Sequence, residues 1–182
     1  IYTVTIATPV FFISVRGESE AVAGAMLAAL LVPSVPASIL GGRLADALGR
    51  RTPALLGGSI AALGPIELML IGVDSGAIVY GTGLALVGLG FGIMQAPLQS
   101  AVVESAPPNM AASAGGLYQL NRQLGSVVGA ALFAAIVGST TAGSDVADYR
   151  ALYAVLGAAG IAGVLFACGI HNWPTTNFNS GG

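Results

Sequence analysis

Apolar residues in this chain do not alternate with polar ones; they come in blocks bounded by charges, prolines or glycine clusters. A helix needs about 20 apolar residues to cross the hydrocarbon core of a bilayer. On that criterion the blocks are Ile1 to Val15, Ala21 to Gly41, Pro53 to Val73, Gly76 to Ala96, Ala111 to Ser139 and Ala151 to Ile170. The first is short and is expected to be truncated, because the sequence opens on Ile1 inside an apolar stretch, without an initiator Met or a charged leader. The chain is therefore expected to be a fragment of something longer. Apolar character all round each block, with Gly and Pro inside, fits helices solvated by lipid and by one another; barrel strands would be shorter and would alternate. The predicted fold class is all-α integral membrane, with six transmembrane helices over residues 1–170. A tail at 171–182, uncharged apart from a possible histidinium, is expected to be disordered in the cytoplasm.

Composition sharpens this picture. The chain has 182 residues, 55% hydrophobic and 8% charged, against about 25% charged in an ordinary soluble domain. A soluble globular protein is excluded. The charges are six Arg, no Lys and eight Asp or Glu, too sparse for the electrostatic footprint of a nucleic-acid partner. One cysteine, Cys168, and one histidine, His171, allow neither an internal disulfide nor a Cys/His metal cluster, so no metal and no cofactor are expected. Positive charge is retained on the cytoplasmic side of membrane proteins. The 42–52 connection holds Arg43, Arg50 and Arg51, with Arg122 on the same side, while Arg16 and Arg150 opposite are outnumbered by acids. That connection is predicted to lie inside, as are both ends of the chain. Abundant Ala and Gly without Lys point to a GC-rich bacterial genome and to the cytoplasmic membrane.

The connection after the second block runs Gly41-Gly42-Arg43-Leu44-Ala45-Asp46-Ala47-Leu48-Gly49-Arg50-Arg51-Thr52-Pro53. Read physically, it is a short loop whose glycines permit tight turns, whose acid can face a neighbouring helix N-terminus and whose basic pair is held at an anionic leaflet. It resembles the signature loop of the major facilitator superfamily, G-x-L-x-D-[RK]-x-G-[RK]-[RK], with Gly42, Leu44, Asp46, Gly49, Arg50 and Arg51 at the matching positions and Ala47 where a basic residue is usual. A second stretch agrees. Gly88-Leu89-Gly90-Phe91-Gly92, Gln95-Ala96-Pro97-Leu98-Gln99, and Ala114-Gly115-Gly116-Leu117 through Arg122-Gln123-Leu124-Gly125 to Gly129 resemble the late helices of the fourteen-helix drug:proton antiporter branch.

The resemblance implies two six-helix halves related by a pseudo-two-fold axis, with the substrate cavity between them. This chain resembles the C-terminal half. The implied partners are the lipid bilayer, the N-terminal half of the same transporter, a small-molecule substrate and protons. Asp46 and its arginines then form a cytoplasmic latch, made in one access state and broken in the other.

Other residues stand out on their own chemistry. Gly88 with Gly92, and Gly125 with Gly129, repeat at the four-residue spacing that lets helix backbones approach closely in lipid. Ionisable groups at membrane depth are expensive, so each is a functional candidate. Glu67, next to Gly64-Pro65, either snorkels outward or takes up and releases a proton during a transport cycle. Arg122 is placed at the inner membrane boundary by the length of apolar helix that follows it. Gln119, Arg122, Gln123 and Ser126 share one helix face and either line a vestibule or bond to neighbouring helices and headgroups; Gln95 and Gln99, flanking Pro97, face the same choice. Glu104 is expected to be solvated in a loop.

No P-loop is present, so the energy for transport is expected from an ion gradient. The function predicted is part of a proton-coupled secondary transporter exporting drugs or other hydrophobic or cationic compounds, with export of a specific metabolite as the alternative. Two remote readings complete the set. An intramembrane serine enzyme rests only on Ser113 and His171, and a non-transporting scaffold leaves the signature loop and the polar stripe unexplained.

Overall fold

The computed structural model describes residues 1–70, 75–137 and 146–169. Among them the order is helix α1 (Tyr2–Val10) continuing as a π-helical turn (Phe11–Val15), α2 (Glu20–Leu31), α3 (Ser34–Leu48), α4 (Arg51–Leu70), α5 (Ala77–Ser105), a 3₁₀ turn (Pro108–Met110), α6 (Ala111–Val137) and α7 (Val146–Gly169). Among the described residues four spans are long and apolar enough to cross a bilayer: Glu20–Leu48, Arg51–Leu70, Ala77–Ser105 and Pro108–Val137. The predicted all-α membrane fold is what the chain adopts. The tail at 171–182, and the junctions at 71–74 and 138–145, lie outside the described residues.

Three boundaries differ from the expectation: α7 begins at Val146, before Ala151, and the second and fourth blocks run on past their expected ends. The second block does not stop at Gly41. The helix breaks at Val32-Pro33, where Pro33 has no N–H to donate, and resumes as α3 for almost two turns beyond Gly41 to Leu48. Nor does Pro97 end the fourth block: α5 continues to Ser105, and Ser100 Oγ donates to the carbonyls of Ala96 at 3.0 Å and Pro97 at 3.1 Å. Pro97 leaves the Ile93 carbonyl without its usual i+4 donor. That carbonyl sits where a Cβ on Gly41 would be, so the proline and the glycine together make the α3–α5 contact.

Close approach of backbones organises the rest, because apolar side chains gain little by leaving lipid for one another. Helix α5 is central and carries small residues on two faces. Towards α4, a Cβ on Gly57 would lie 2.6 Å from Gly90 O, and one on Gly64 would lie 2.6 Å from Gly83 O. Towards α2 and α3, Gly88 sits under the Leu30 carbonyl and Gly92 under that of Ser34. Gly129 of α6 packs against the Thr3 hydroxyl of α1, whereas Gly125 has open space beyond its Cα. The spacing of Gly125 and Gly129 therefore makes one contact, not two. Gly57, Gly64, Gly83 and Gly90 pair α4 with α5, and their 57/64 and 83/90 spacing is a seven-residue repeat that the four-residue packing pattern does not reveal.

The opposite end of the bundle from the Arg43–Arg51 segment is closed by aromatic rings. Phe11, Phe12, Tyr80 and Tyr149 are buried and in mutual contact, with Phe11 and Tyr149 centroids 4.8 Å apart. Arg16 fastens this end: its Nη1 donates to Ser75 O at 2.8 Å, and its guanidinium lies 5.2 Å from the Tyr80 ring centroid. Such an arginine unites a cation–π contact with a hydrogen bond at the edge of the apolar region.

Candidate functional site

The signature segment is a helix end more than a loop. Gly42, Arg43, Leu44 and Asp46 lie in the last two turns of α3; Gly49, at φ +77°, makes the reversal; and α4 starts two residues later at Arg51. Only at Gly49 does the backbone need glycine's left-handed freedom. Gly41 and Gly42 make no turn, and Gly41 acts as a packing surface for α5.

The two arginines after the turn reach in different directions. Arg50 forms an ion pair with Glu104 in the last turn of α5, and Arg51 Nη2 donates to the Cys168 carbonyl near the end of α7 at 3.1 Å. Glu104 is therefore solvent-exposed as expected, but it lies in a helix and is paired with Arg50 where a loop was expected. A basic group over the last carbonyls of a helix is favourable both as a hydrogen bond and against the helix dipole. Three helix ends from distant parts of the sequence are thus tied at one point: residues 50 and 104, and residues 51 and 168. Asp46 is exposed on α3, and it takes part in no hydrogen bond or ion pair among the described residues. In this conformation the tie is made by the arginines alone.

A polar groove lies between α3 and α5. Ser34, Val35 and Ser38 line one wall; Gly92, Gln95, Ala96 and Gln99 line the other; the groove is open, with a volume of about 280 Å³. The hydroxyl protons of the serines are used locally, Ser34 Oγ donating to Leu31 O at 2.6 Å and Ser38 Oγ to Val35 O at 2.7 Å. Their oxygens remain as acceptors facing the two amides, which engage in no side-chain hydrogen bond among the described residues. At Gly92 the two helices touch under the Ser34 carbonyl, next to the helix break at Val32-Pro33. The sequence reading found Gln95 and Gln99 but missed Ser34 and Ser38. The available signal was their i, i+4 spacing just after the Pro33 break.

The remaining candidates are apart from this groove. Glu67 accepts a hydrogen bond from Thr82 Oγ1 at 2.8 Å, joining α4 to α5. Arg122 lies with its guanidinium 6.0 Å from the Tyr2 ring centroid, so α6 is drawn to the start of α1. Its Nε is buried without a partner. Gln119 and Gln123 on the same helix are exposed, and Leu117, Leu120, Leu124 and Val127 beside them are more than half exposed. Helix α6 therefore presents amides and bare leucines together, a surface suited neither to lipid alone nor to water alone.

Comparison with known proteins agrees with this geometry. A crystal structure of the peptide transporter POT superposes with a TM-score of 0.70 at 21% identity, covering 92% of this chain and 34% of that one. The chain is 28% identical over 137 residues to the multidrug resistance protein Stp of Mycobacterium tuberculosis, covering 75% of this chain and 25% of Stp. It is 30% identical over 105 residues to the uncharacterized MFS-type transporter YwoD of Bacillus subtilis, covering 58% of this chain and 23% of YwoD. The chain thus spans about a quarter of the length of these relatives. The model of the Major Facilitator Superfamily matches residues 1–130, from α1 through the tied helix ends and the polar groove to Gly129 and Ala130 of α6, and the chain belongs to that superfamily.

Proposed function

We propose that this chain is the C-terminal six-helix half of a proton-coupled exporter of drugs or other hydrophobic or cationic compounds, working by alternating access in a bacterial cytoplasmic membrane. The observation that carries this reading is the polar groove. Gln95 and Gln99 hold unspent amides beside the hydroxyl oxygens of Ser34 and Ser38. Unsatisfied amides are costly in hydrocarbon, so they belong against a water-filled cavity or a second protein surface. The exposed Gln119 and Gln123 of α6 call for the same environment, and the N-terminal half of the transporter supplies it.

The glycine-packed α3–α4–α5 unit supports alternating access, since tightly packed helices move together as a rigid body. The ties from Arg50 and Arg51 bind the cytoplasmic ends of α5 and α7 in the conformation described and are released in the other access state. Glu67, held by Thr82, is the proton-carrying candidate. The relatives named as multidrug resistance proteins favour drugs as the cargo.

The test is efflux of a fluorescent cationic dye from cells expressing the full-length protein, before and after collapse of the proton gradient. Gradient-dependent efflux that is lost in Asp46→Asn and shifted in dye preference by Gln95→Ala with Gln99→Ala is the expected result. Undiminished dye retention with the protein present in the membrane overturns the multidrug assignment and redirects the search to a metabolite cargo.

A further inference from the structure

A second cavity in the bundle is separate from the polar groove and contains about 1270 Å³. It exceeds the roughly 300–1,000 Å³ of ordinary small-molecule pockets. Its floor is α4, where Ala54, Gly58, Ala61 and Ala62 are too small to fill the space between neighbours. Helix α5 forms one wall. Helix α7 forms the other, seated on α4 through Gly160, where a Cβ would lie 3.0 Å from that of Ala62.

At one end the lining is Arg50, Arg51 and Glu104; at the other it is Pro65, Val87 and Leu156. From Arg51 to Pro65 is 14 helical residues, roughly 21 Å at 1.5 Å per residue. One leaflet of hydrocarbon is about 15 Å deep, half of a 30 Å core. The cleft is thus a leaflet deep, apolar along its length and charged only at its mouth. The three ionised groups there sum to one positive charge, two arginines against one carboxylate. Arg50 Nη1 is buried and has no acceptor. The arginine distribution along the chain places this mouth at the cytoplasmic leaflet.

From this geometry we infer that the α4–α5–α7 cleft is a binding site for an anionic phospholipid of the inner leaflet. The headgroup phosphate meets Arg50 and Arg51, and an acyl chain lies over the small residues of α4. A free anion would use only the mouth and leave the apolar length empty. A zwitterionic lipid would bring its ammonium beside the arginines. The inference does not depend on what the protein transports.

The experiment is native mass spectrometry of the full-length protein in detergent, titrated with phosphatidylglycerol and, separately, with phosphatidylcholine of the same chains. An arginine near an anionic lipid surface contributes about fivefold in affinity. Retention of phosphatidylglycerol over phosphatidylcholine is expected, and the preference falls about fivefold in Arg50→Gln and to near parity when Arg51→Gln is added. Gly163→Phe should displace both lipids without altering charge, because Gly163 lines the cleft and a side chain there meets nothing within 4 Å. Glu104→Gln should strengthen phosphatidylglycerol binding about fivefold, an outcome that damaged folding would not produce. Equal retention of the two lipids, a preference that survives the double arginine substitution, or weaker binding in Glu104→Gln overturns the proposal. Displacement of phosphatidylglycerol by millimolar inorganic phosphate also overturns it, in favour of a soluble anion.

Discussion

Substituting Gly90 by alanine is the sharpest test of the idea that α4 and α5 are held by backbone approach. A Cβ built on Gly90 would lie 2.7 Å from Ala61 Cα, closer still to Ala61 N, and 2.5 Å from Gly57 O. Carbon atoms in ordinary contact sit about 3.5–4.0 Å apart. The obstacles are all backbone, so no side chain can rotate away, and the helices must part by about 1 Å. That displacement also loosens Gly57, whose own missing Cβ faces Gly90 O and Met94 N. Overpacking of this kind costs about 1–3 kcal/mol, and 2 kcal/mol corresponds to roughly 4–8 °C in Tm for a domain of 150–250 residues. The assay is the Tm of the full-length protein in detergent, read as the folded fraction on size exclusion after graded heating. Gly81→Ala is the control on the same helix, since a Cβ there meets nothing within 4 Å. A Gly90→Ala protein that melts with the parent, or a Gly81→Ala protein that melts as early as Gly90→Ala, refutes the reasoning.

The other predictions follow from single contacts. Breaking the Arg50–Glu104 pair by Glu104→Gln should leave Tm within about 4 °C of the parent, because partly exposed ion pairs contribute about 0–1 kcal/mol; a larger drop would show that the tie supports the fold itself. In Glu67→Gln the amide oxygen can still accept from the Thr82 hydroxyl, so thermal stability should be retained while gradient-driven dye efflux is lost; efflux at the parental rate would remove Glu67 from the proton path. Gly129→Val should push α6 off Thr3 of α1, and cross-linking between cysteines introduced at Tyr2 and Arg122 should fall sharply; unchanged cross-linking would mean that α6 is held elsewhere.

How much was legible beforehand depended on the range of the interaction involved. Membrane helices announce themselves in local composition, because the bilayer demands an apolar exterior and internally satisfied backbone over about 20 residues. The all-helical class and the four membrane-length spans among the described residues are of that kind. The ends of helices were less legible. Pro97 looked like a terminator, yet α5 runs on to Ser105, and Gly41 of another helix leaves room for the Ile93 carbonyl that Pro97 deprives of its donor. The pairing of exposed Glu104 was hidden for the same reason: its partner is 54 residues away.

The sequence by itself determined that this is an all-α membrane chain of the major facilitator kind, since both conclusions rest on residues close together along the chain. Only the tertiary structure decided which glycines touch which helix, that Ser34 and Ser38 join Gln95 and Gln99 in one groove, and that Arg50 and Arg51 bind two separate helix ends. Those pairings depend on how helices are rotated and offset against one another. Rotation and offset are fixed by close contacts between distant segments, and no local pattern of residues encodes them.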